Sequence, residues 1–536
     1  MKTPATGFRT WLLPIVVILI AAAGIFVAYR WRQPIEASLL GPASTTIVPG
    51  IHVLCDLGPS SAYVIETSDG LVLIDSGLEN DAAPLKREMA KLGLDWRKVR
   101  AVLLTHAHGD HCGGAEHLRK AIGAKVYAGQ GDAAVIKAGG PREAVFSTFY
   151  MPNHVGTPTK VDIELQGDEL ITVGNVQIRA LAAPGHTPGS MCYLIERGNV
   201  RALFGGDVIT QLVSDEAPYP MGKKALGTYS TYLAPPYRGD AQTYLDSLRK
   251  LRALATPDLV LPGHPLSDPT PQSPQLSKLQ WEAMLDDGIK EMETLLGHYR
   301  ADGRNFLDGH AKRLLPDLYY FGNFRGHAVY GLFANSKFFV VDAPGGPGYL
   351  DFLQAKLHEL GLSPLDPTAV LLTSCNAKDT DGLKELVEKC HPKVIAPAAG
   401  LADIKALCPA GTVVLSADDL AKQNWFPVKT IALRGRGRSP TAYLLKWAGK
   451  EVLISGRIPS LFDHYSTQGL DADLGASRDN VMDYLISIND LEQAKPDLWL
   501  PAVSSDDQNA NLYETEWKYI MENNYRLGRS LLERAH

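Results

Sequence analysis

Short runs of apolar residues alternate with amphipathic stretches along most of the chain, a pattern typical of domains that mix strands with helices. Residues 62–66 and 71–75 are apolar runs on either side of the polar, Gly-containing segment 68–70. Two such runs joined by a short turn predict a β-hairpin. The pattern continues with a predicted helix over 81–92 and a predicted buried strand over 101–105.

Beyond residue 105 the same alternation predicts further elements. Predicted strands lie at 125–128, 169–172, 176–181, 191–195, 201–204 and 259–261, and predicted helices at 114–122, 241–255 and 275–299. A loop rich in His and Gly separates the strand over 101–105 from the next helix. Because alternating strands and helices pack in mixed layers around one core, the expected fold class is α/β (α+β).

The second half of the chain repeats the pattern of the first half. The segment AVLLT at 101–105 recurs as AVLLT at 369–373, and PDLVLP at 257–262 recurs as PDLWLP at 496–501. The order and spacing of the repeated segments agree. We therefore predict a tandem duplication with one domain over 45–300 and a second over 311–536.

Length and charge limit the possible functions of the chain. Its 536 residues exceed what one compact core usually holds, which favours two domains. A formal net charge of -6 and a pI near 6.2 disfavour nucleic acid as a partner. Six cysteines without a CxxC pair indicate neither a disulfide scaffold nor a separate zinc knuckle.

Residues 11–29 form the one strongly apolar stretch of the chain and carry no charged side chain. As a helix this stretch is roughly 28 Å long, close to the thickness of a bilayer core. We predict an uncleaved, single-pass membrane anchor over residues 1–33. A cleaved signal peptide is the alternative, because small residues occur at 21–23, but the apolar run continues beyond them. The charges on the two sides of the stretch are nearly balanced, and we expect the catalytic domain outside the cytoplasm.

The segment THAHGDH at 105–111 places three imidazoles and one carboxylate at the end of a predicted buried strand. Nitrogen and carboxylate ligands of this kind are those that zinc prefers. A single His here would be read as an ordinary surface residue, but the cluster is rare by chance. Three further candidates follow strands in Gly- and Pro-rich turns, namely His186 in APGHTPG, Asp207 in FGGD and His264 in LPGH.

In their order and spacing these motifs resemble the signature of the metallo-β-lactamase-fold hydrolase superfamily. The resemblance covers about residues 45–300 and implies an αββα sandwich with two zinc ions. It also implies a ligand set in which one residue bridges the ions. The first ion would be held by His106, His108 and His186, the second by Asp110, His111 and His264, and Asp207 would bridge them.

A pair of zinc ions implies hydrolysis by a metal-bound hydroxide. Asp110 is the candidate catalytic residue, because it can orient that hydroxide in addition to binding a metal. Asp75, at the end of a predicted strand, either supports the site through a ligand or caps a turn, and the sequence favours neither.

The second half lacks the predicted ligands. In the second half, the positions of His106, His108, Asp110, His111, His186, Asp207 and His264 are occupied by Ser374, Asn376, Lys378, Asp379, Arg438, Arg457 and Val503, respectively. Lys and Arg repel a metal cation, so this half is expected to be catalytically silent. Stabilisation of the protein by packing is its first expected role, and recognition of an anion by Arg434, Arg436 and Arg438 is the alternative.

The expected reaction is hydrolysis of an ester, thioester or lactone bond in a small molecule. In the superfamily, a bridging Asp such as Asp207 is typical of thioesterases and lactonases. The hairpin at 62–75 and the segment HCGG at 111–114 resemble the β-lactamase branch, so β-lactamase is the first alternative. A membrane-tethered binding or scaffold protein is the second. The loop over 208–238, where substrate specificity is expected, cannot be interpreted from the sequence.

Overall fold

The computed structural model describes residues 36–139, 156–198, 200–212, 233, 238–265, 271–363, 365–435, 438–459, 477–504, 508–512 and 514–534. The predicted membrane anchor and most of the loop over 208–238 lie outside these residues. Within the described ranges no helix combines the length and the apolar character needed to cross a membrane.

The described residues divide into two compact units. The first unit lies within residues 36–286, and the second contains residues from 287 onward together with the described residues of 215–245. Two helices, α5 and α6, contain the residues at which the units divide. They span Ala241–Arg252 and Lys278–Asp302, respectively.

In the described part of the first unit, seven strands form a mixed sheet in chain order. These strands are β1 (Thr45–Val48), β2 (Ile51–Leu54), β3 (Ala62–Thr67), β4 (Gly70–Ile74), β5 (Val99–Leu103), β6 (Lys125–Gly129) and β7 (Ile163–Leu165). Strands β1 to β4 are antiparallel, whereas β4 to β7 run parallel. The helices along this sheet are α1 (Ala83–Lys91), α2 (Gly109–Cys112), α3 (Ala115–Ile122) and α4 (Gln130–Ala138).

A second sheet of the first unit has five described strands in the order β12-β11-β10-β9-β8. They are β8 (Leu170–Val173), β9 (Val176–Ala182), β10 (Met191–Arg197), β11 (Val200–Gly206) and β12 (Leu259–Pro262). Only β11 and β12 are parallel among these pairs.

The two sheets of the first unit pack face to face. The ring of Tyr63 on β3 lies 5.3 Å from that of Phe204 on β11, and its hydroxyl donates to Pro262 O at 2.6 Å. The opposite face of the seven-stranded sheet packs against α1 and α3 through buried residues such as Met89 and Leu118. Apolar burial on both faces explains why its central strands are almost entirely apolar.

The structure confirms most of the predicted elements. The predicted hairpin corresponds to β3 and β4, and the strand predicted over 176–181 corresponds to β9. The elements that were not predicted are the short strands β1, β2 and β7 and the helix α4. The loop rich in His and Gly also contains a helical turn, α2.

The second unit contains a similar succession of elements, with one strand fewer described in its second sheet. Its first sheet has strands β13 (Lys312–Leu315), β14 (Leu318–Phe324), β15 (His327–Ala334), β16 (Lys337–Val341), β17 (Ala369–Leu371), β18 (Lys393–Ala396) and β19 (Val414–Ser416). Its second sheet has β20 (Val428–Ala432), β21 (Thr441–Trp447), β22 (Lys450–Gly456) and β23 (Leu498–Pro501). The described helices are α7 (Tyr349–Glu359), α8 (Ala377–Thr380), α9 (Leu383–Cys390), α10 (Leu401–Leu407), α11 (Arg478–Glu492) and α12 (Glu514–Arg534).

Individual hydrogen bonds recur at corresponding positions of the two units. Tyr330 donates to Pro501 O at 2.8 Å in the second unit, as Tyr63 does to Pro262 O in the first. The core between the second unit's sheets is built from side chains of both sheets, among them Tyr330 and Tyr443. Each unit therefore contains two packed sheets, and the seven-stranded sheets of the two units have the same strand order, whereas the second sheets have five and four described strands.

Candidate metal centre

Strand ends bring the seven predicted ligands together at one edge of the first unit. Because β4 and β5 are parallel, the residues that follow them lie at the same edge, and the THAHGDH segment follows β5. The parallel strands β11 and β12 end at Gly206 and Pro262, directly before Asp207 and Gly263-His264. His186 lies in the turn between β9 and β10.

The predicted ligands form two groups, and within each group the candidate ligand atoms lie within 4.8 Å of one another. The first group consists of His106, His108, His186 and Asp207. The second group consists of Asp110, His111 and His264. The structure thus brings together every residue that the sequence predicted for the site.

The second group has the dimensions of a zinc site. Nε2 of His111 lies 3.3 Å from Nε2 of His264, and each of these atoms lies 3.5 Å from Asp110 Oδ2. Four ligands about 2.0–2.1 Å from a tetrahedral zinc ion lie roughly 3.3 Å from one another. The three atoms therefore match one triangular face of such a tetrahedron.

The first group is comparable but slightly wider. Nε2 of His186 lies 3.0 Å from Nδ1 of His108 and 3.5 Å from Asp207 Oδ2. Nε2 of His106 lies 3.9 Å from the same carboxylate oxygen. Small movements of one side chain would bring all four atoms to zinc distances.

The carboxylate of Asp207 lies between the two groups. Its Oδ1 is 3.2 Å from His111 Nε2, and its Oδ2 is 3.1 Å from His264 Nε2. Since Oδ2 also faces His186, one carboxylate contacts ligand atoms of both groups. This arrangement suits a ligand shared by two ions.

The histidines are oriented through their other ring nitrogens. Nδ1 of His111 lies 2.8 Å from Asp75 Oδ2, and Nδ1 of His264 lies 2.8 Å from the carbonyl of Pro59. Asp75 also accepts hydrogen bonds from the amide and the hydroxyl of Thr105, at 2.7 and 2.8 Å. Such partners fix the ring orientation and the tautomer of a metal-binding His. The contact with His111 is the support of a ligand that the sequence left as one alternative, and the contacts with Thr105 join the ends of two neighbouring strands.

Three buried polar atoms of the cluster have no hydrogen-bond partner, which also fits the binding of cations. Among the described residues, His106 Nε2, Asp110 Oδ2 and Asp207 Oδ1 are buried without a hydrogen-bond partner. Buried polar atoms normally have partners, and unpaired ones cost roughly 1–3 kcal/mol each. Divalent ions bound in the two groups would satisfy all three atoms, so the residues fit the zinc that the resemblance implies.

Burial keeps part of the first group neutral. Burial and the neighbouring imidazoles of His111 and His108 hold the pKa of His106 well below its usual range. Burial also lowers the pKa of His186 to about 4. Neutral imidazole is the form that binds a metal, so these two side chains are ready to act as ligands at neutral pH.

The carboxylates near His111 have the opposite effect on this residue. Burial alone would lower the pKa of His111, but Asp110, Asp207 and Asp75 outweigh it and raise that pKa well above the usual value. Burial would raise the pKa of Asp207, but His264 and His111 hold it well below its usual range. The three carboxylates around His111 thus favour positive charge at this residue.

Asp132 at the start of α4 is a residue of the site that was not predicted. Its buried carboxylate accepts hydrogen bonds from the amide of Ala107 and from the hydroxyl of Thr187, at 2.9 and 2.6 Å. Both donors are neighbours of predicted ligands. A Gly-rich helix start directly after a strand was the only sequence signal for this residue.

At the corresponding place in the second unit, an ion-pair network stands where the first unit has its ligands. The guanidinium of Arg457 donates to Asp379 Oδ1 at 2.8 and 3.0 Å. Nε2 of His327 lies 3.3 Å from Asp342 and 3.4 Å from Asp379, and its Nδ1 lies 2.9 Å from the carbonyl of Ala328. Burial would lower the pKa of His327, but the carboxylates of Asp342 and Asp379 raise it to about 9.

In this network the side chains of His327 and Arg457 face the carboxyl groups of Asp342 and Asp379. The sequence predicted the loss of the ligands but not the network that replaces them. His327 was not predicted, because a single His at the start of a strand carries no motif. Of the predicted anion-binding arginines, Arg436 lies outside the described residues, and Arg438 pairs with Asp403 at 2.8 Å.

The sandwich and its cluster of His and Asp side chains agree with the comparison with protein families. The family described as Metallo-beta-lactamase superfamily matches residues 55–264, a range that contains all seven predicted ligands. Residues 55–264 therefore form a domain of the metallo-beta-lactamase superfamily, and the resemblance seen in the sequence is confirmed.

Two curated relatives each match part of the chain. The chain is 28% identical over 221 residues to the hydroxyacylglutathione hydrolase of Rhodospirillum rubrum, covering 41% of this chain and 67% of that protein. It is 27% identical over 230 residues to the atrochrysone carboxyl ACP thioesterase of Aspergillus fumigatus, covering 43% of this chain and 58% of that protein.

Among solved structures, a metallo-beta-lactamase from Cronobacter sakazakii with a mutated HARLDQ motif is 22% identical, with a TM-score of 0.38. That match covers 48% of this chain and 98% of the other.

Proposed function

We propose that the first unit is a zinc-dependent hydrolase that uses two ions to cleave a thioester or a related ester or lactone bond in a small molecule. The observation that carries the proposal is the position of Asp207, whose two oxygens contact ligand atoms of both metal groups. Two ions in such a site lower the pKa of bound water towards neutrality and polarise the scissile carbonyl.

The chain's own residues have separate tasks in this proposal. The first group would bind one ion through His106, His108 and His186, and the second group would bind the other through Asp110, His111 and His264. Asp207 would be shared by both ions. The carboxylate of Asp110 would also orient the attacking water, because it is buried within the second group, with Oδ2 3.5 Å from His111 Nε2.

The choice of substrate class draws on the relatives. One is named a hydrolase of hydroxyacylglutathione and the other an ACP thioesterase. Both names point to an acyl thioester as the substrate, which favours this class over the alternatives.

The second unit is proposed to be a degenerate copy of the first that binds no metal. Support comes from the shared strand order of the seven-stranded sheets, the recurring hydrogen bonds and the ion-pair network at the position of the ligands.

We also propose that residues 11–29 anchor the protein in a membrane with both units outside the cytoplasm. Support for the anchor is the length of this uncharged apolar stretch.

The test uses the full-length protein, purified in detergent, and three chromogenic substrates: an acyl thioester, an acyl lactone and a cephalosporin. We compare the wild type with His108→Ala and with Asn376→Ala, the change at the corresponding position of the second unit. The expected result is hydrolysis of the thioester by the wild type and by Asn376→Ala. In His108→Ala, kcat/KM should fall by about 100-fold or more, because a metal ligand is lost.

The other outcomes contradict the proposal in distinct ways. Hydrolysis of the cephalosporin alone would replace the proposed substrate class with that of a β-lactamase. A wild type that contains zinc but cleaves none of the substrates would contradict the substrate class. A wild type without metal or activity would favour a tethered binding protein.

A further inference from the structure

Asp132 connects the two loops that carry the ligands of the first group. Its side chain is fully buried at the first turn of α4. Oδ2 accepts the amide of Ala107 at 2.9 Å and the hydroxyl of Thr187 at 2.6 Å, and Oδ1 accepts the amide of Gly189 at 3.0 Å. Ala107 lies between two ligands, and Thr187 directly follows a third.

Glycines allow the helix to approach the second of these loops backbone to backbone. A Cβ atom on Gly129 would lie 2.0 Å from the carbonyl oxygen of Gly189, and one on Gly131 would lie 2.4 Å from that of Pro188. A Cβ atom on Gly189 would lie 2.3 Å from the amide nitrogen of Asp132. Backbone contacts this close leave little room for adjustment, so the position of the carboxylate between the loops is fixed.

The second unit provides an internal comparison. Val126 of β6 and Val394 of β18 occupy corresponding positions, each paired with the second residue of a matching AVL segment. Six residues further on, the first unit has Asp132 and the second has Gly400.

Without that carboxylate, the loops of the second unit bond to each other directly. The amide of Cys375 donates to the carbonyl of Arg438 at 2.8 Å. The second unit keeps the contact that Asp75 makes with Thr105 in the first. Its Asp342 accepts hydrogen bonds from the amide and the hydroxyl of Thr373, both at 2.7 Å. The second unit, which lacks the metal ligands, therefore also lacks a carboxylate at the position of Asp132. It keeps one at the position of Asp75, namely that of Asp342.

We propose that Asp132 is a positioning residue of the metal centre. It holds the loop of His186 at the distance from His106 and His108 that a shared ion requires. In the structure His186 Nε2 and His108 Nδ1 are 3.0 Å apart. This inference rests on the proposed metal-binding function of the first unit.

The test is a cobalt(II) titration of the metal-free, full-length protein, followed by visible absorption. Asp132→Asn keeps the size of the side chain but replaces one acceptor oxygen with an NH2 group that faces N–H and O–H donors. We expect one of the two cobalt sites to bind about 10- to 100-fold more weakly, as is usual when an outer partner of a metal ligand is lost. The other site should keep its affinity.

Glu116→Gln is the matched control. Glu116 is also a buried acid of the first unit, and it accepts the amide of Lys160 at 3.1 Å and pairs with Arg119. This variant should bind cobalt as the wild type does, even if its stability falls. If Asp132→Asn does not fold, Thr187→Val removes one donor to the carboxylate and should weaken the same cobalt site by a smaller factor.

Hydrogen exchange separates this inference from the proposed function. In the metal-free protein the amides of Ala107 and Gly189 should exchange faster in Asp132→Asn than in the wild type. A wild type that binds no cobalt would contradict the proposed function. Unchanged exchange at both amides, or unchanged affinity at both cobalt sites, would overturn the role of Asp132.

Discussion

At the scale of single residues, the metal centre is oriented by its surroundings. Asp75 faces His111, the carbonyl of Pro59 faces His264, and the hydroxyl of Thr105 lies 3.0 Å from Nδ1 of His106. The nitrogen that binds the metal is therefore directed before an ion arrives, which reduces the entropy lost on binding.

The two contacts of Asp75 can be separated by comparison with Asp342 in the second unit. Asp75→Ala and Asp342→Ala should each lower the free energy of unfolding of their own unit by about 1–3 kcal/mol, because a buried Thr loses two acceptors. Only Asp75→Ala should weaken metal binding. Urea unfolding followed by pulsed hydrogen exchange, together with a cobalt titration, measures both effects. If Asp75→Ala binds cobalt as tightly as the wild type, the only role left for Asp75 is to hold Thr105 at the end of the strand.

The network around His327 predicts a pH dependence of the second unit. The pKa of His327 is raised to about 9 by Asp342 and Asp379, and Arg457 pairs with the latter. A folded pKa above the unfolded value of about 6.5 stabilises the unit fully below pH 6.5, and this contribution disappears as the pH rises through 9. Pulsed hydrogen exchange over residues 312–504 should therefore show a fall of stability between these pH values. The fall should be smaller in His327→Gln, and an identical pH dependence in both proteins would contradict the network's role.

At the scale of secondary-structure elements, the sequence predicted those with a clear period. The hairpin β3-β4 and strand β9 have long apolar or alternating runs, and the structure contains them. Strands β1 and β7 have only four and three residues, too few for a period to be recognised. Helix α4 was missed because its start contains Gly131 and its packing partners, residues 187–189, are remote in sequence.

The turn α2 depends on Gly113, which follows it directly. A Cβ atom at this position would lie 2.0 Å from the carbonyl oxygen of Leu78 and 2.7 Å from that of Gly77. Gly113→Ala should therefore destabilise the first unit by about 1–3 kcal/mol or more, because backbone has to move. Gly297→Ala is the control: it lies inside α6 with no atom within 4 Å of its added Cβ. The control should be neutral or stabilising by about 0.5–1 kcal/mol. A urea midpoint for Gly113→Ala equal to that of the wild type would contradict the close packing.

At the scale of the whole molecule, the chain contains two units whose seven-stranded sheets have the same strand order and whose centres differ. The tandem duplication stays a prediction, which rests on segments such as AVLLT that recur at the same spacing. The sequence also predicted all seven residues of the metal groups, since each lies in a motif at a strand end. Asp132 and the network of His327, Asp342, Asp379 and Arg457 were not predicted. Their partners are brought together only by folding, and no local motif marks them.

The central claim is that the first unit binds two metal ions and the second binds none. The most direct measurement is the zinc content of the full-length protein by mass spectrometry, for the wild type, His108→Ala and Asn376→Ala. We predict about two zinc ions per chain in the wild type and in Asn376→Ala, and fewer in His108→Ala. No zinc in the wild type, an unchanged content in His108→Ala, or a loss in Asn376→Ala would contradict the claim.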